Sequence, residues 1–66
     1  MNARDIEIFR AVMQYRTLSA AAEVLHVSQP ALSKAVRHCE DRLGFRLFQR
    51  QAGRLVPTAE AQTLLP

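Results

Sequence analysis

Ser19 and Ser28 are both residues that favour helix starts, and the eight residues between them leave room for one short helix and a tight turn. The first of the two helices is capped by Ser19. Ala20, Ala21 and Ala22 are strong helix formers, and Val24 and Leu25 supply an inner face. At six or seven residues it is marginal alone and must be held by packing. His26-Val27 makes the turn, and His tolerates a positive φ better than most residues. The next helix starts at Ser28 or Gln29, with Pro30 in its first turn, where a missing N–H costs nothing. Leu32, Val36, Cys39 and Leu43 then recur at four, three and four, an inward stripe. Ser33, Lys34, Arg37 and Asp41 fall on other faces. Gly44 is a suitable stop, because helix ends often need a left-handed residue. Ala22 is small where the two helices approach, and Leu25, Val27 and Leu32 pack inward. The pattern is a helix-turn-helix.

The flanking segments complete a small domain. A helix is predicted over Ala3–Tyr15, where Ile6, Phe9 and Met13 recur at helical spacing with Ile8 and Val12 beside them. Arg16-Thr17-Leu18 breaks that pattern. From Phe45 to Val56, the apolar pairs Leu47-Phe48 and Leu55-Val56 flank a polar stretch, which predicts a hairpin with its tip near Gln51–Gly53. Pro57 ends the second strand and Thr58 caps a fourth helix carrying Ala59, Ala61, Leu64 and Leu65, up to Pro66. A 66-residue chain buries only about 60% of its unfolded surface. Its eighteen Leu, Ile, Val and Phe residues exceed the share found in disordered chains, so a core is expected.

Several function classes are disfavoured. The lone cysteine, Cys39, forms no intramolecular disulfide and no cysteine-only zinc cluster. His38 and Cys39 are adjacent on a helix and point about 100° apart, so they do not converge with His26 on one ion. No metal and no cofactor are expected. Arg4, Asp5, Glu7 and Arg10 stand where a leader would need an apolar run, so none is expected, and no run approaches the roughly 18 apolar residues of a membrane span. A lone cysteine suits a reducing cytoplasm. No paired carboxylates, base-activated nucleophile or glycine-rich phosphate loop suggests an enzyme. The charge suggests a partner. The net charge is +3, and all of it comes from residues 31–66, where five of six basic residues are arginines. With an isoelectric point near 10.0 this fits a nucleic-acid binder as well as a solvated basic surface.

The stretch LSAAAEVLHVSQPALS, Leu18 to Ser33, resembles the DNA-binding domain of LysR-type transcriptional regulators, and Leu25 to Ser33 is its most characteristic part. RLGFRLFQR, Arg42 to Arg50, resembles the family's Leu-Gly-x-x-Leu-Phe-x-Arg segment. TAEA, Thr58 to Ala61, resembles the start of its linker helix. The chain departs from the family at Cys39, where leucine is commoner, at Ala61, where glycine is common, and at Pro66. The resemblance implies a mainly α, winged helix-turn-helix fold: three helices, a short β-hairpin wing and the start of a fourth, linker helix. It places the DNA-binding domain at 1–57 and the beginning of the dimerising linker at 58–66. It also implies a homodimer formed through that linker in a longer form, a promoter carrying an inverted repeat, and an inducer bound by a separate C-terminal domain. A chain with no such domain is expected to be a piece of a longer regulator or an unusually short protein.

On that reading the recognition helix, residues 29–43, enters the major groove, which is about 12 Å wide. Gln29 can pair with adenine through both ends of its amide, Ser33 can donate or accept, and Pro30 or Ala31 can touch a thymine methyl. Lys34 and Arg37 reach phosphates or guanine. Ser19 and Ser28 hold phosphate oxygens with helix N-terminal N–H groups. Arg50 and Arg54, on the wing at 48–56, reach the minor groove or its phosphates. Other roles compete at these positions: Ser28 as a cap, Arg50 in an ion pair bracing the wing, Arg54 as a solvated turn residue, and Gln29, Ser33, Lys34 and Arg37 as solvated surface residues. Arg4, Arg10 and Arg16 are read as surface charges. A second function class is an interaction module, using Leu64, Leu65 and the fourth helix to dimerise with a full-length regulator without strong DNA binding.

Overall fold

Asn2 opens the first helix with a reciprocal cap: its side chain accepts from the Asp5 N–H at 2.8 Å, and the Asp5 carboxylate accepts from the Asn2 N–H. The computed structural model describes residues 2–64. They form α1 (Ala3–Tyr15), α2 (Leu18–Leu25), α3 (Gln29–Leu43), β1 (Phe48–Gln51), β2 (Arg54–Pro57) and α4 (Ala59–Gln62). Mainly helical architecture with one antiparallel hairpin is what the sequence predicted. The sequence reading of Leu65 and Pro66 lies outside the described residues.

Among the described residues, three outside glycine take the left-handed conformation: Arg16, His26 and Ala52. Arg16 ends α1 at φ 66°, and its Nε donates to the Met13 carbonyl at 2.7 Å. Its role is therefore to close a helix as well as to carry charge. His26 ends α2 at φ 60°, as its place in the turn suggested. Gly44 ends α3 at φ 82°.

Two expectations for α2 are corrected. Thr17, not Ser19, is its cap: Thr17 is extended and its Oγ1 accepts from the Ala20 N–H at 3.2 Å. Arg16 reverses the chain in one residue, so the next helix starts earlier than the alanine run suggests. Ser19 then sits in the first turn, exposed. Val24 is not part of an inner face; it is 47% exposed, and Ala21 and Ala22 are the buried residues of α2. The small side chains let α2 lie close to α1, and the turn of the helix carries Val24 outward.

The core gathers one face from each element. Phe9, Val12, Leu32 and Leu47 are its largest fully buried side chains. On α1 the buried stripe is Asp5, Ile8, Phe9, Ala11 and Val12, while Ile6 and Met13 sit at its edges half-buried. On α3 Leu32 and Cys39 are buried, with Val36 and Leu43 half-buried beside them. The Phe9 and Phe48 rings meet at 5.4 Å and 47°, joining the hairpin to α1. The Leu55 N–H donates to the Arg16 carbonyl at 2.6 Å, so the residue that ends α1 also docks β2.

Candidate nucleic-acid interface

Ser28 fixes where α3 begins, its Oγ accepting from the Ala31 N–H at 3.2 Å. Its capping role is thus seen directly. Gln29, Pro30, Ala31, Lys34 and Arg37 are all exposed, and Ser33 is half-buried. Gln29, Ser33 and Arg37 rise at four-residue steps, so they share one outward stripe with Pro30 and Lys34 beside it. A different stripe, Leu32 and Cys39, is locked in the core. The helix therefore has little freedom to rotate about its axis, and the set of side chains it presents is fixed.

Lined by polar residues and arginines over an apolar floor, an open groove of about 900 Å³ runs between α3 and the hairpin. Ser33, Arg37 and Asp41 line it from α3, Arg46 from the connection, and Arg50 from β1. Arg50 pairs across the hairpin with Leu55, and Gln51 with Arg54. Cross-strand partners share a face and neighbours alternate, so Arg50 and Arg54 point to opposite sides of the hairpin. Arg50 faces the groove with Phe48 and Leu55; Arg54 does not line it. The competing role for Arg50, an ion pair bracing the wing, is not found among the described residues, where the pairs are Arg4 with Glu7 and Arg42 with Asp5.

Three charged residues lining the groove escaped the sequence reading of the site: Glu40, Asp41 and Arg46. The alternation Phe45-Arg46-Leu47 carried the signal for Arg46, since Leu47 is buried and its neighbour must point away. The connection bearing Arg46 is held from two sides. The Leu47 N–H donates to Glu40 Oε2 at 2.7 Å, and the Thr58 hydroxyl donates to the Arg46 carbonyl at 2.6 Å. Thr58 Oγ1 also accepts from the Ala61 N–H, capping α4 as expected.

Behind the groove, Arg42 Nη2 lies 2.7 and 2.8 Å from the two oxygens of Asp5, tying α3 to α1. The guanidinium holds the Asp5 carboxyl below the ordinary carboxylate range, and burial pushes the Cys39 thiol up. Among the described residues no cluster of His, Cys, Asp or Glu has the arrangement of a metal site, and no helix is long and apolar enough to cross a membrane.

Residues 3–62 match the profile of the bacterial regulatory helix-turn-helix proteins of the lysR family. The transcriptional regulator AdmX of Serratia plymuthica is 52% identical over 64 residues, covering 97% of this chain and 21% of that protein. DgcR of a Pseudoalteromonas species is 50% identical over 64 residues, covering 97% of this chain and 22% of that protein. The chain thus spans about a fifth of the length of these relatives. Among solved structures, the CbnR DNA-binding domain in its DNA complex superposes with a TM-score of 0.87 at 33% identity, covering 96% of this chain and 72% of that one.

Proposed function

The chain belongs to the lysR family of bacterial regulatory helix-turn-helix proteins and has the winged fold of that family's DNA-binding domain, and from this premise we propose that it reads promoter DNA for a transcriptional regulator. The observation that carries the reading is the outward stripe of α3, with Gln29 and Pro30 at a capped, exposed helix start and Ser33 one turn on. A helix end presented this way enters the major groove first. Gln29, Pro30 and Ser33 contact bases. Ser19, Ser28, Lys34 and Arg37 contact the backbone, and the first-turn N–H groups of α2 add donors for phosphate. The opposed directions of Arg50 and Arg54 divide the wing: Arg50 faces the strand beside α3, and Arg54 reaches outward to the minor groove.

Residues 1–57 act as the DNA-binding unit and 58–66 begin the linker helix, through which two copies pair on an inverted repeat. The names of the similar regulators support a bacterial transcriptional regulator; the reading adds that it works in the cytoplasm, on the nucleoid, and that another domain senses its inducer. The chemistry is binding, with no catalytic step.

Selection from random duplex DNA, followed by sequencing at two salt concentrations, tests this reading. An enriched motif is expected, and about five phosphate contacts would give a slope of roughly −4 to −5 for log affinity against log salt. Binding that is indifferent to salt, or no binding, overturns the reading.

A further inference from the structure

We propose that the groove between α3 and the hairpin seats the sugar–phosphate backbone of one DNA strand, and that Arg46 contacts a phosphate there. This rests on the DNA-binding reading and adds a residue to it. Three arginines, Arg37, Arg46 and Arg50, line the groove from three separate pieces of chain, and none is in an ion pair among the described residues. Guanidinium groups converging on one open groove repel one another and are relieved by an anion. A polyanion with charges spaced along a line suits a groove; a single ion does not use its length. The arginine fork matches phosphate oxygens bidentately.

The acidic residues of the groove do not cancel this charge equally. A Glu40 oxygen is engaged by the Leu47 N–H, which leaves Asp41 as the groove carboxylate on α3 with no such bond among the described residues. Arg46 is the best placed of the three to be a fixed contact. Its carbonyl is anchored by Thr58, and the adjacent Leu47 N–H by Glu40, so its backbone is held on both sides while its side chain is exposed. A pre-positioned backbone lowers the ordering cost of the contact.

The test measures affinity of the purified chain for a short mixed-sequence duplex across a salt series. Arg46→Ala is expected to make the log–log slope shallower by about 0.9, so that raising salt fourfold costs about 3.5-fold less affinity than in the parent. Arg46→Lys keeps the parental slope. Arg10→Ala, at an exposed α1 site that does not line the groove, also keeps it. The base preference found by selection is unchanged in Arg46→Ala. Adding Asp41→Asn to Arg46→Ala leaves the slope shallow. Recovery of the parental slope would reduce Arg46 to a counter-charge for Asp41 and overturn the contact. An unchanged slope in Arg46→Ala, with a steep parental slope, overturns this proposal and leaves the DNA-binding reading standing. A flat parental slope overturns both.

Discussion

At the scale of single residues, Gln29 and Cys39 show how one helix divides its work. Gln29 is exposed at the start of α3, and Cys39 lies on the buried face. Gln29→Ala removes a two-ended amide and is expected to cost about 1–3 kcal/mol of discrimination between the preferred base and its competitors. The ratio of affinities for matched and mismatched duplexes measures it; equal weakening on all sequences would remove Gln29 from the base-reading set. Cys39→Leu, which fills the buried face of α3 with a larger apolar side chain, is expected to be neutral or stabilising in thermal unfolding. A loss above about 1 kcal/mol would count against the assigned core face, since it would mean that the site has no room for the larger side chain. The inward position of Cys39 was legible from spacing alone. The cap of α2 was not, because Thr17 and Ser19 are both good caps and the choice depends on how Arg16 closes the preceding helix.

The hairpin is the element whose local chemistry is least matched to its shape. Its two-residue loop puts both Ala52 (φ 53°) and Gly53 (φ 77°) in the left-handed region. Such a turn favours Asn-Gly, and alanine is strained there. Ala52→Asn is expected to stabilise the chain by about 0.5 kcal/mol, and Gly53→Ala to destabilise it by about 1 kcal/mol. Apart from its chain neighbours, nothing lies within 4 Å of where a Cβ at Gly53 would sit, so the loss would come from backbone strain and not from a clash. Melting temperatures moving in the same direction for the two variants would show that the loop does not hold this conformation. The tip was placed correctly from sequence, since apolar pairs flank a polar stretch with one glycine. The register was not. It alone puts Arg50 opposite Leu55 and turns Arg54 away from the groove.

Across the whole molecule, the one long-range ion pair is a pH-sensitive tie among the described residues. Asp5, on α1, is held below its ordinary pKa of 3.8 by Arg42, on α3. A carboxyl lowered in this way contributes stability that is present above the ordinary value and is lost as pH falls through the lower folded value. Thermal unfolding followed from neutral pH into acid should show a falling melting temperature. Asp5→Asn should start lower and fall less. Parallel acid limbs in the two proteins would show that Asp5 is not the group responsible. By itself the sequence determined the number and kind of elements, the helix-turn-helix, the inward stripe of α3 and the excess of arginine in the second half, because periodicity, capping and charge are local properties. Only the tertiary structure decided that Val24 faces solvent, that Arg42 ties α3 to α1, and that Arg37, Arg46 and Arg50 meet at one groove. Those outcomes depend on which faces bury one another, and residues far apart in the chain are brought together only by packing.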